Sequence, residues 1–393
     1  MGWKISMVAL ACAFGATASV YAQVQGVTDK EIVLGVITDL SGAVAQYGKE
    51  SRNGMQMKVD EINAQGGVNG RKLRLVVEDN GYDPKKAVLA TQKLVTGEKV
   101  FAVLGHLGTA TNMAVLPFLI ENKVFNFLPQ GASKEFYDPP NPYKVALAPS
   151  YRFMATTSLR YLLEKKDYKK IGVLYQDDDF GQDVLAGVEL QLKADKKSLV
   201  EKVSYKRGAT DFSSQMAKLR AADCDLVIVG ATLRELVGSV LEAKKIGFSP
   251  AILTTAAAYS QQVPALGGRS MDGIYASSFI PLPYNDDPNP AVREYAAAYT
   301  KRFNESPGLY SMYGTYTVDS FAKIAAKAGK NLTPETFNAA MESTRLEPDN
   351  FGNPGFVVTK NDRLAVKRIR MFQIVDGKWR PVSDLIETAA HSN

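Results

Sequence analysis

The chain has 393 residues, with 47 lysines and arginines against 41 aspartates and glutamates, which gives a net charge of +6. That length predicts two or three domains with ample hydrophobic core. The basic residues are scattered, without aromatic residues interleaved on one element, so we expect solvated faces and no nucleic-acid surface.

The first residues have the features of a secretory signal peptide. A basic start at Lys4 precedes a run of apolar and small residues at 5–20, and Tyr21-Ala22 fits a cleavage site before Gln23. The run contains Ser, Thr and Gly and is short for a membrane span of roughly 20 residues. We therefore expect 1–22 to be a cleaved signal peptide, and the mature protein to be soluble and periplasmic.

From residue 31 onward, buried-strand patterns alternate with amphipathic helices. The predicted strands lie at 32–37, 73–78, 100–104, 124–128, 171–175, near 200, 226–229, 251–255 and 273–280. The predicted helices lie at 46–64, 84–96, 111–121, 154–165, 182–194, 211–221, 233–246, 291–303 and 312–328. Repeated strand–helix units of this kind predict parallel sheets covered on both faces. The segments 366–375 and 379–382, joined across Asp376-Gly377, predict a closing antiparallel hairpin.

These strands are too many for one open sheet, so we predict an α/β protein with two similar, doubly wound lobes. A first break is marked by the Asp-Pro-Pro-Asn-Pro run at 138–142, and a second proline-rich region lies at 281–290. A TIM barrel is the competing fold. The prolines at 281–290 interrupt any regular repeat, and the closing hairpin does not fit a barrel.

The usual residues of enzyme and metal chemistry are missing from the predicted mature chain. Its histidines are His106 and His391 and its cysteine is Cys224, too few for a zinc site, a Ser-His-Asp triad or a Cys-His pair. No phosphate loop and no dinucleotide-binding glycine pattern occurs. Asp177-Asp178-Asp179 lacks the spacing of a calcium loop and suits a helix N-terminus. We expect no catalysis, no metal and no cofactor, and a core position for Cys224.

The stretch at 105–114, GHLGTATNMA, carries the clearest functional signal. It follows a predicted buried strand and leads into a predicted helix. A Gly- and Thr-rich turn at that point directs hydroxyl and backbone N–H groups toward one spot, which is how proteins hold an anion. The turn therefore predicts an anion-binding site.

Several motifs in order resemble the branched-chain amino acid-binding proteins of bacterial ABC importers, at 35–42, 45–48, 60–70, 83–84 and 105–107. The similarity extends from about residue 27 to residue 379. It implies a type I periplasmic-binding-protein fold, in which two Rossmann-like lobes are joined by three crossovers and close on a small solute. The implied lobes are 27–148 plus 280–354 and 149–279 plus 355–388. The implied protein is a monomer that delivers its solute to an inner-membrane ABC permease.

The resemblance also implies a set of ligand-binding residues. In this family a carboxylate is held by the turn after the third strand and by the turn after the next strand. The residues at these positions are Leu107, Gly108 and Thr109, then Gly131, Ala132 and Ser133. Tyr47 would line the pocket and Phe180 would form an aromatic lid. The alternatives are an ordinary surface aromatic for Tyr47 and a plain helix cap for Thr109.

Two positions depart from the family's amino-acid binders. Those proteins hold the ligand's ammonium with an acidic residue after the strand at 251–255, where this chain has Ala256-Ala257-Ala258. Ala231-Thr232-Leu233 stands where they tend to have aromatic residues. An unpaired buried ammonium costs on the order of several kcal/mol. We therefore expect a carboxylate ligand with an apolar remainder, an aromatic or branched organic acid, contacted by Thr232 and Ala257.

Two alternatives stay open. Glu235 or Asp319 would restore binding of a hydrophobic amino acid if either reached the pocket. The same fold also serves as a ligand-sensing domain, although a membrane receptor would need a second membrane segment after Trp379, where 380–393 is polar.

Overall fold

The computed structural model describes residues 24–349, 351–352 and 354–388, so the predicted signal peptide lies outside the described part. A five-stranded parallel sheet has the order β2-β1-β3-β4-β5. Its strands are β1 (Glu31–Thr38), β2 (Lys72–Asp79), β3 (Ala102–Leu104), β4 (Phe125–Phe127) and β5 (Lys144–Val145). The connecting helices are α1 (Ala45–Ala64), α2 (Pro84–Gln92) and α3 (Thr109–Glu121).

A second, mixed sheet begins with β6 (Ile171–Gln176), β7 (Glu201–Tyr205), β8 (Leu226–Gly230), β9 (Ala251–Thr254) and β10 (Tyr275–Ser278), which pair in parallel. Its helices are α4 (Tyr151–Lys165), α5 (Asp179–Ala194), α6 (Ser213–Ala221), α7 (Leu233–Lys245) and the short α8 (Gln262–Gly267). Repeated β-α-β connections explain why central strands such as β1 and β8 are buried along almost their whole length, since helices cover both faces.

The chain then returns to the first sheet. Helices α9 (Pro290–Phe303), α10 (Leu309–Ala328) and α11 (Pro334–Ser343) follow, and α10 packs along α1. A small ribbon of β11 (Arg345–Leu346) and β12 (Phe356–Val357) precedes β13 (Arg368–Val375) and β14 (Lys378–Pro381), which extend the second sheet in antiparallel fashion. β15 (Ile386–Glu387) pairs with β13. We call the first sheet with α1–α3 and α9–α11 the first lobe, and the second sheet with α4–α8 the second lobe.

Three chain passages connect the lobes: after β5, after β10 and before β13. The first and third run side by side, since Ala146 N donates to Arg363 O (3.0 Å) and Val366 N donates to Leu147 O (3.1 Å). The Arg363 side chain is 1% exposed and donates to Lys144 O (3.1 Å) and to Asn338 Oδ1 (2.9 Å). A buried guanidinium with several acceptors fixes this junction.

The α/β prediction and the closing hairpin are confirmed. Helices α4 and α5 begin three residues earlier than predicted, because Ser150 and Asp178 cap them. Asp178 accepts from Phe180 N and Gly181 N, which confirms the helix-terminus interpretation of the aspartate run. The predicted helix at 84–96 is α-helical only to Gln92 and continues as a π turn over Lys93–Gly97. Helices α8 and α11 were not predicted, because they are short and follow proline-rich or polar stretches.

Cys224 is buried in the hydrophobic core, as predicted, and has no disulfide partner within the described ranges. Among the described helices, none combines the length and the apolarity that a membrane span requires.

Candidate ligand-binding cleft

A cavity lies between the lobes, where the carboxyl ends of the parallel strands of both sheets meet. Its volume is about 20 Å³, which is room for roughly one water molecule. The lobes are therefore closed on each other. The lining residues come from both lobes and are Val44, Tyr47, Tyr82, Leu107, Gly108, Thr109, Gln130, Gly131, Tyr151, Phe180, Thr232, Ala257 and Tyr310.

The wall of the first lobe is built from the turn between β3 and α3. Leu107 N donates to Ile37 O (3.1 Å) and Gly108 N donates to Gln130 O (3.0 Å), so neighbouring strand ends fix the turn. Helix α3 starts at Thr109, and no side chain caps it. The first N–H groups of a helix have no partner within it and favour a negative charge nearby. This wall therefore offers hydrogen-bond donors to the cleft.

Thr109 is 2% exposed and lines the cavity. Its hydroxyl oxygen accepts from Ala132 N at 3.4 Å, and the N-cap position of α3 belongs to Gly108. The plain-cap alternative for Thr109 is therefore wrong. Among the described residues, its hydroxyl hydrogen has no acceptor.

Gly108 is required at its position for two reasons. Its φ is +99°, a region that L side chains rarely adopt. A Cβ atom there would also lie 2.6 Å from Tyr82 Cε2. The absence of a side chain lets the Tyr82 ring close over the turn.

Ala132 and Ser133, which the resemblance placed in the site, do not line the cavity. After Gly131 the chain turns away into a 3-10 turn over Lys134–Phe136, and the Ser133 hydroxyl donates to the Glu135 carboxylate. Ala132 packs in the core of the second lobe. Their sequence proximity to Gly131 did not bring their side chains into the cleft.

Tyr47 connects the two lobes across the cavity. Its hydroxyl donates to Ala257 O (2.8 Å) and accepts from Leu233 N (2.9 Å), both in the second lobe. Its ring stacks on Tyr310, with 4.2 Å between centroids. Because Tyr47 is 3% exposed, the surface-aromatic alternative is wrong.

The wall of the second lobe is mostly apolar. Phe180 enters from the first turn of α5 and meets the Tyr151 ring edge to face at 4.6 Å. Ala257 lies in the 3-10 turn after β9. Thr232 precedes α7, and its hydroxyl donates to the Glu235 carboxylate, whose side chain is buried at 2% exposure. Asp319, by contrast, lies on an outer face in ion pairs with Lys58 and Lys323.

Sequence reasoning missed Arg207, which also spans the lobes. Its guanidinium donates to Tyr82 O (2.7 Å) in the first lobe and to Asp178 Oδ2 (2.7 Å) in its own lobe. It also lies over the Tyr82 ring at 4.7 Å. A planar guanidinium group can stack on an aromatic ring and donate hydrogen bonds at the same time, which suits a contact between two lobes.

Val44, Tyr82, Gln130, Tyr151 and Tyr310 were also missed. Tyr82 lies in the turn after β2, and Tyr151 and Tyr310 lie in the first turns of α4 and α10. For the three tyrosines, the available signal was an aromatic residue at or just before the start of a helix.

Two buried titratable groups lie in the first lobe near this wall. Burial raises the pKa of Glu50 to about 7. Gln46 donates to the Glu50 carboxylate at 3.1 Å, and Gln262 of the second lobe does so at 3.4 Å. Burial lowers the pKa of His106 to about 3, so this imidazole is neutral at pH 7. Within the described ranges, no group of three or more His, Cys, Asp or Glu side chains is arranged to hold a metal.

Comparisons with known proteins agree with this architecture. Residues 31–378 match the family described as Periplasmic binding protein. The chain is 26% identical over 362 residues to the Leu/Ile/Val-binding protein homolog 8 of Brucella melitensis biotype 1, which covers 88% of this chain and 89% of that protein.

Two solved structures share the fold. A fatty acid ABC transporter substrate-binding protein from Thermomonospora curvata has a TM-score of 0.83 and 25% identity, over 94% of this chain and 95% of that one. A branched chain amino acid ABC transporter from Thermus thermophilus with bound valine has a TM-score of 0.82 and 16% identity, over 92% and 97%. The type I periplasmic-binding-protein fold is thereby confirmed. This chain belongs to the periplasmic binding protein family, among relatives of the branched-chain amino acid-binding proteins that its motifs resemble.

Proposed function

We propose that this protein is the solute-binding component of an ABC uptake system. It binds a small carboxylate with an apolar remainder in the cleft and delivers it to an inner-membrane permease. Members of its family are substrate-binding proteins of transport systems and not enzymes. The observation that carries the proposal is the pairing of a donor wall at Thr109 with an apolar wall at Phe180 and Ala257 across one cavity.

The carboxylate is assigned to the turn at 107–109 together with Gly131. The uncapped first turn of α3 and the Thr109 hydroxyl supply donors for an anion. The proposed ligand-contacting residues are Tyr47, Leu107, Gly108, Thr109, Gly131, Phe180, Thr232 and Ala257.

The favoured ligand lacks an amino group. The turn after β9 presents Ala256, Ala257 and Ala258, all buried and without charge. Each CH₂ group buried against such a surface contributes about 0.8 kcal/mol, so an apolar acid binds without a counter-charge. The name of the Thermomonospora curvata relative, a fatty acid binder, supports a ligand of this class.

A hydrophobic amino acid is the second candidate, favoured by one observation. Glu235 is a buried carboxylate directly behind Thr232, and a buried anion of this kind is the natural partner of an ammonium group. The relatives named for Leu/Ile/Val binding point the same way. Asp319 is too remote to serve, because its ion pairs hold it on an outer face.

Matched ligands decide between the candidates. We expect phenylpropionate to bind at least tenfold more tightly than phenylalanine, and isocaproate more tightly than leucine, in calorimetry on the purified protein. Ala257→Glu is expected to narrow or reverse the preference. Tighter binding of leucine or phenylalanine to the unmodified protein would refute the organic-acid proposal and leave the transport role intact.

The remaining parts of the proposal concern organisation and export. We assign 27–148 plus 280–354 to one lobe and 149–279 plus 355–388 to the other, in a monomer. We assign 1–22 to a signal peptide that directs export and is then cleaved. The mature protein is expected to begin at or near Gln23 and to stay soluble without detergent, as N-terminal sequencing of the exported protein would show. Retention of Met1 in a membrane fraction would contradict this assignment.

A further inference from the structure

Thr232 and Glu235 form a buried polar pair beside the cavity. They are 4% and 2% exposed, and Thr232 lines the cavity. The Thr232 hydroxyl donates to the Glu235 carboxylate. Among the described residues, Glu235 forms no ion pair. Burying a carboxylate without a cation costs folding free energy, so we expect this pair to have a structural or functional role.

The pair does not cap helix α7. The spacing Thr-x-x-Glu is the signature of a capping box, in which each side chain accepts from a backbone N–H group. Helix α7 shows no side-chain cap bond at Thr232. Its first N–H group, on Leu233, is instead bound by the Tyr47 hydroxyl of the other lobe at 2.9 Å. The two side chains therefore bond to each other and not to the helix.

The direction of that bond decides what Thr232 offers a ligand. A hydroxyl has one hydrogen, and here the carboxylate takes it. Only the lone pairs of Thr232 Oγ1 remain for the cleft, so this corner accepts hydrogen bonds and repels a carboxylate. Burial raises the pKa of Tyr47, which lines the cavity, and the nearby Glu235 carboxylate adds to this rise.

We propose that Thr232, polarised by Glu235, is a specificity subsite that accepts a hydrogen bond from the ligand. The cargo is then a carboxylic acid that also carries a hydrogen-bond donor, which is a hydroxyl group in the favoured ligand class and an ammonium group in the second candidate. This inference rests on the proposed function. Thr232 touches the ligand, and Glu235 acts through Thr232 by holding its hydroxyl hydrogen away from the cleft.

The test compares one parent acid with three donor-bearing forms. Phenylpropionate is the parent. Its 2-hydroxy form, its 4-hydroxyphenyl form and its 2-amino form (phenylalanine) carry the donor. We expect at least one of the three to bind about tenfold or more tightly than the parent, the usual gain from a hydrogen bond to a charge-assisted acceptor. Gain with a hydroxy acid identifies a hydroxyl cargo, and gain with phenylalanine identifies an ammonium.

Variants test whether the gain in affinity depends on Thr232 and Glu235. Thr232→Val is expected to abolish the preference, measured as the ratio of the affinities for the donor-bearing ligand and for phenylpropionate, and Thr232→Ser to retain it. Glu235→Gln is expected to reduce it several-fold. Thr255→Val is the matched control, because Thr255 is also a buried threonine at a strand end of this lobe, donates to Ala231 O (3.4 Å) and does not line the cavity.

The outcomes separate cleanly. If phenylpropionate binds and none of its three derivatives binds better, or if the gain survives Thr232→Val, the subsite is refuted and the proposed function stands. If none of the four compounds binds the folded protein, the proposed ligand class fails, and the subsite falls with it. Thermal unfolding of each variant shows that the chain is folded in every arm.

Discussion

In the first lobe, the turn between β3 and α3 presents glycines, a threonine hydroxyl and uncapped helix N–H groups to the cleft. In the second lobe, the turns after β8 and β9 present Ala257 and a threonine whose hydrogen is already given to Glu235. Both walls occupy the same topological place, the carboxyl ends of parallel strands. The wall of the first lobe donates hydrogen bonds, whereas the wall of the second lobe is apolar or accepts them.

The difference shows that the fold determines where the cleft lies, whereas a few residues determine the polarity of each wall. Parallel α/β sheets gather ligands at the carboxyl ends of their strands whatever the side chains are. The donor wall depends on Gly108 and on the absence of a capping side chain at α3. The opposite wall depends on side-chain choices at Thr232, Glu235 and Ala257.

The largest expected effect comes from filling the space at Gly108. Gly108→Ala adds a strained backbone conformation and a contact with Tyr82 at 2.6 Å. We expect the free energy of unfolding to fall by roughly 2–5 kcal/mol, measured by urea denaturation, and ligand binding to be lost. Gly66→Ala is the control, because Gly66 has a φ of +103° and no atom within 4 Å of its added Cβ. An equal loss in both variants would mean that the contact with Tyr82 costs nothing.

Glu50→Gln tests the buried acid that meets Gln262 of the second lobe. The folded-state pKa is raised from 4.5 to about 7, so Glu50 favours the folded state most below pH 4.5, and this contribution is lost as the pH rises through 7. We expect the variant to gain stability over the unmodified protein between pH 5 and pH 8, by up to about 3 kcal/mol. Urea unfolding at several pH values measures the difference.

The control for that change is Glu61→Gln on the same helix. Glu61 is largely exposed and forms an ion pair with Lys58. Its substitution is expected to give no gain that grows between pH 5 and pH 8. If the free energy of unfolding of Glu50→Gln differs from that of the unmodified protein by a constant amount over this range, Glu50 does not titrate there.

Thr109→Ala removes a side-chain donor from the first wall only. Binding of a carboxylate ligand is expected to weaken by about 1.5–3 kcal/mol, with a much smaller change in the free energy of unfolding. Thr111→Ala is the matched change one position beyond Ala110, since that hydroxyl donates to Gly108 O (3.0 Å) and serves the turn. We expect it to lower stability more than affinity. Calorimetry that finds unchanged affinity for Thr109→Ala would remove Thr109 from the anion site.

Arg207→Met removes a contact that joins the two walls at the edge of the cleft. The closed form loses the bond to Tyr82 O and the stacking on its ring. We expect affinity to fall about tenfold, mainly through faster dissociation, in stopped-flow kinetics. Lys206→Met is the control, because Lys206 pairs with Asp177 within the second lobe. Equal effects of the two substitutions would show that Arg207 does not hold the lobes together.

The sequence by itself determined the elements and the main turn of the site. Hydrophobic periodicity placed β1, β6 and β8 within a residue or two, since burial on both faces leaves an unbroken apolar run. The Gly- and Thr-rich turn at 105–109, which contributes to the cavity wall, could be identified because its shape depends on local backbone geometry. The motifs of a known family added Tyr47 and Phe180, in the first turns of α1 and α5, and Gly131 after β4, all of which line the cavity.

Only the tertiary structure decided which side chains meet. Tyr47 and Ala257 are 210 positions apart and share a hydrogen bond, and Arg207 lies 125 positions from Tyr82. Neighbours in the chain were a poor guide, since Ala132 and Ser133 follow Gly131 and yet turn away from the cavity. The polarity of Thr232 likewise depends on the rotamer that gives its hydrogen to Glu235. Contacts across a closed cleft arise from the packing of two lobes. The hydrophobic periodicity of each element does not determine how the lobes pack.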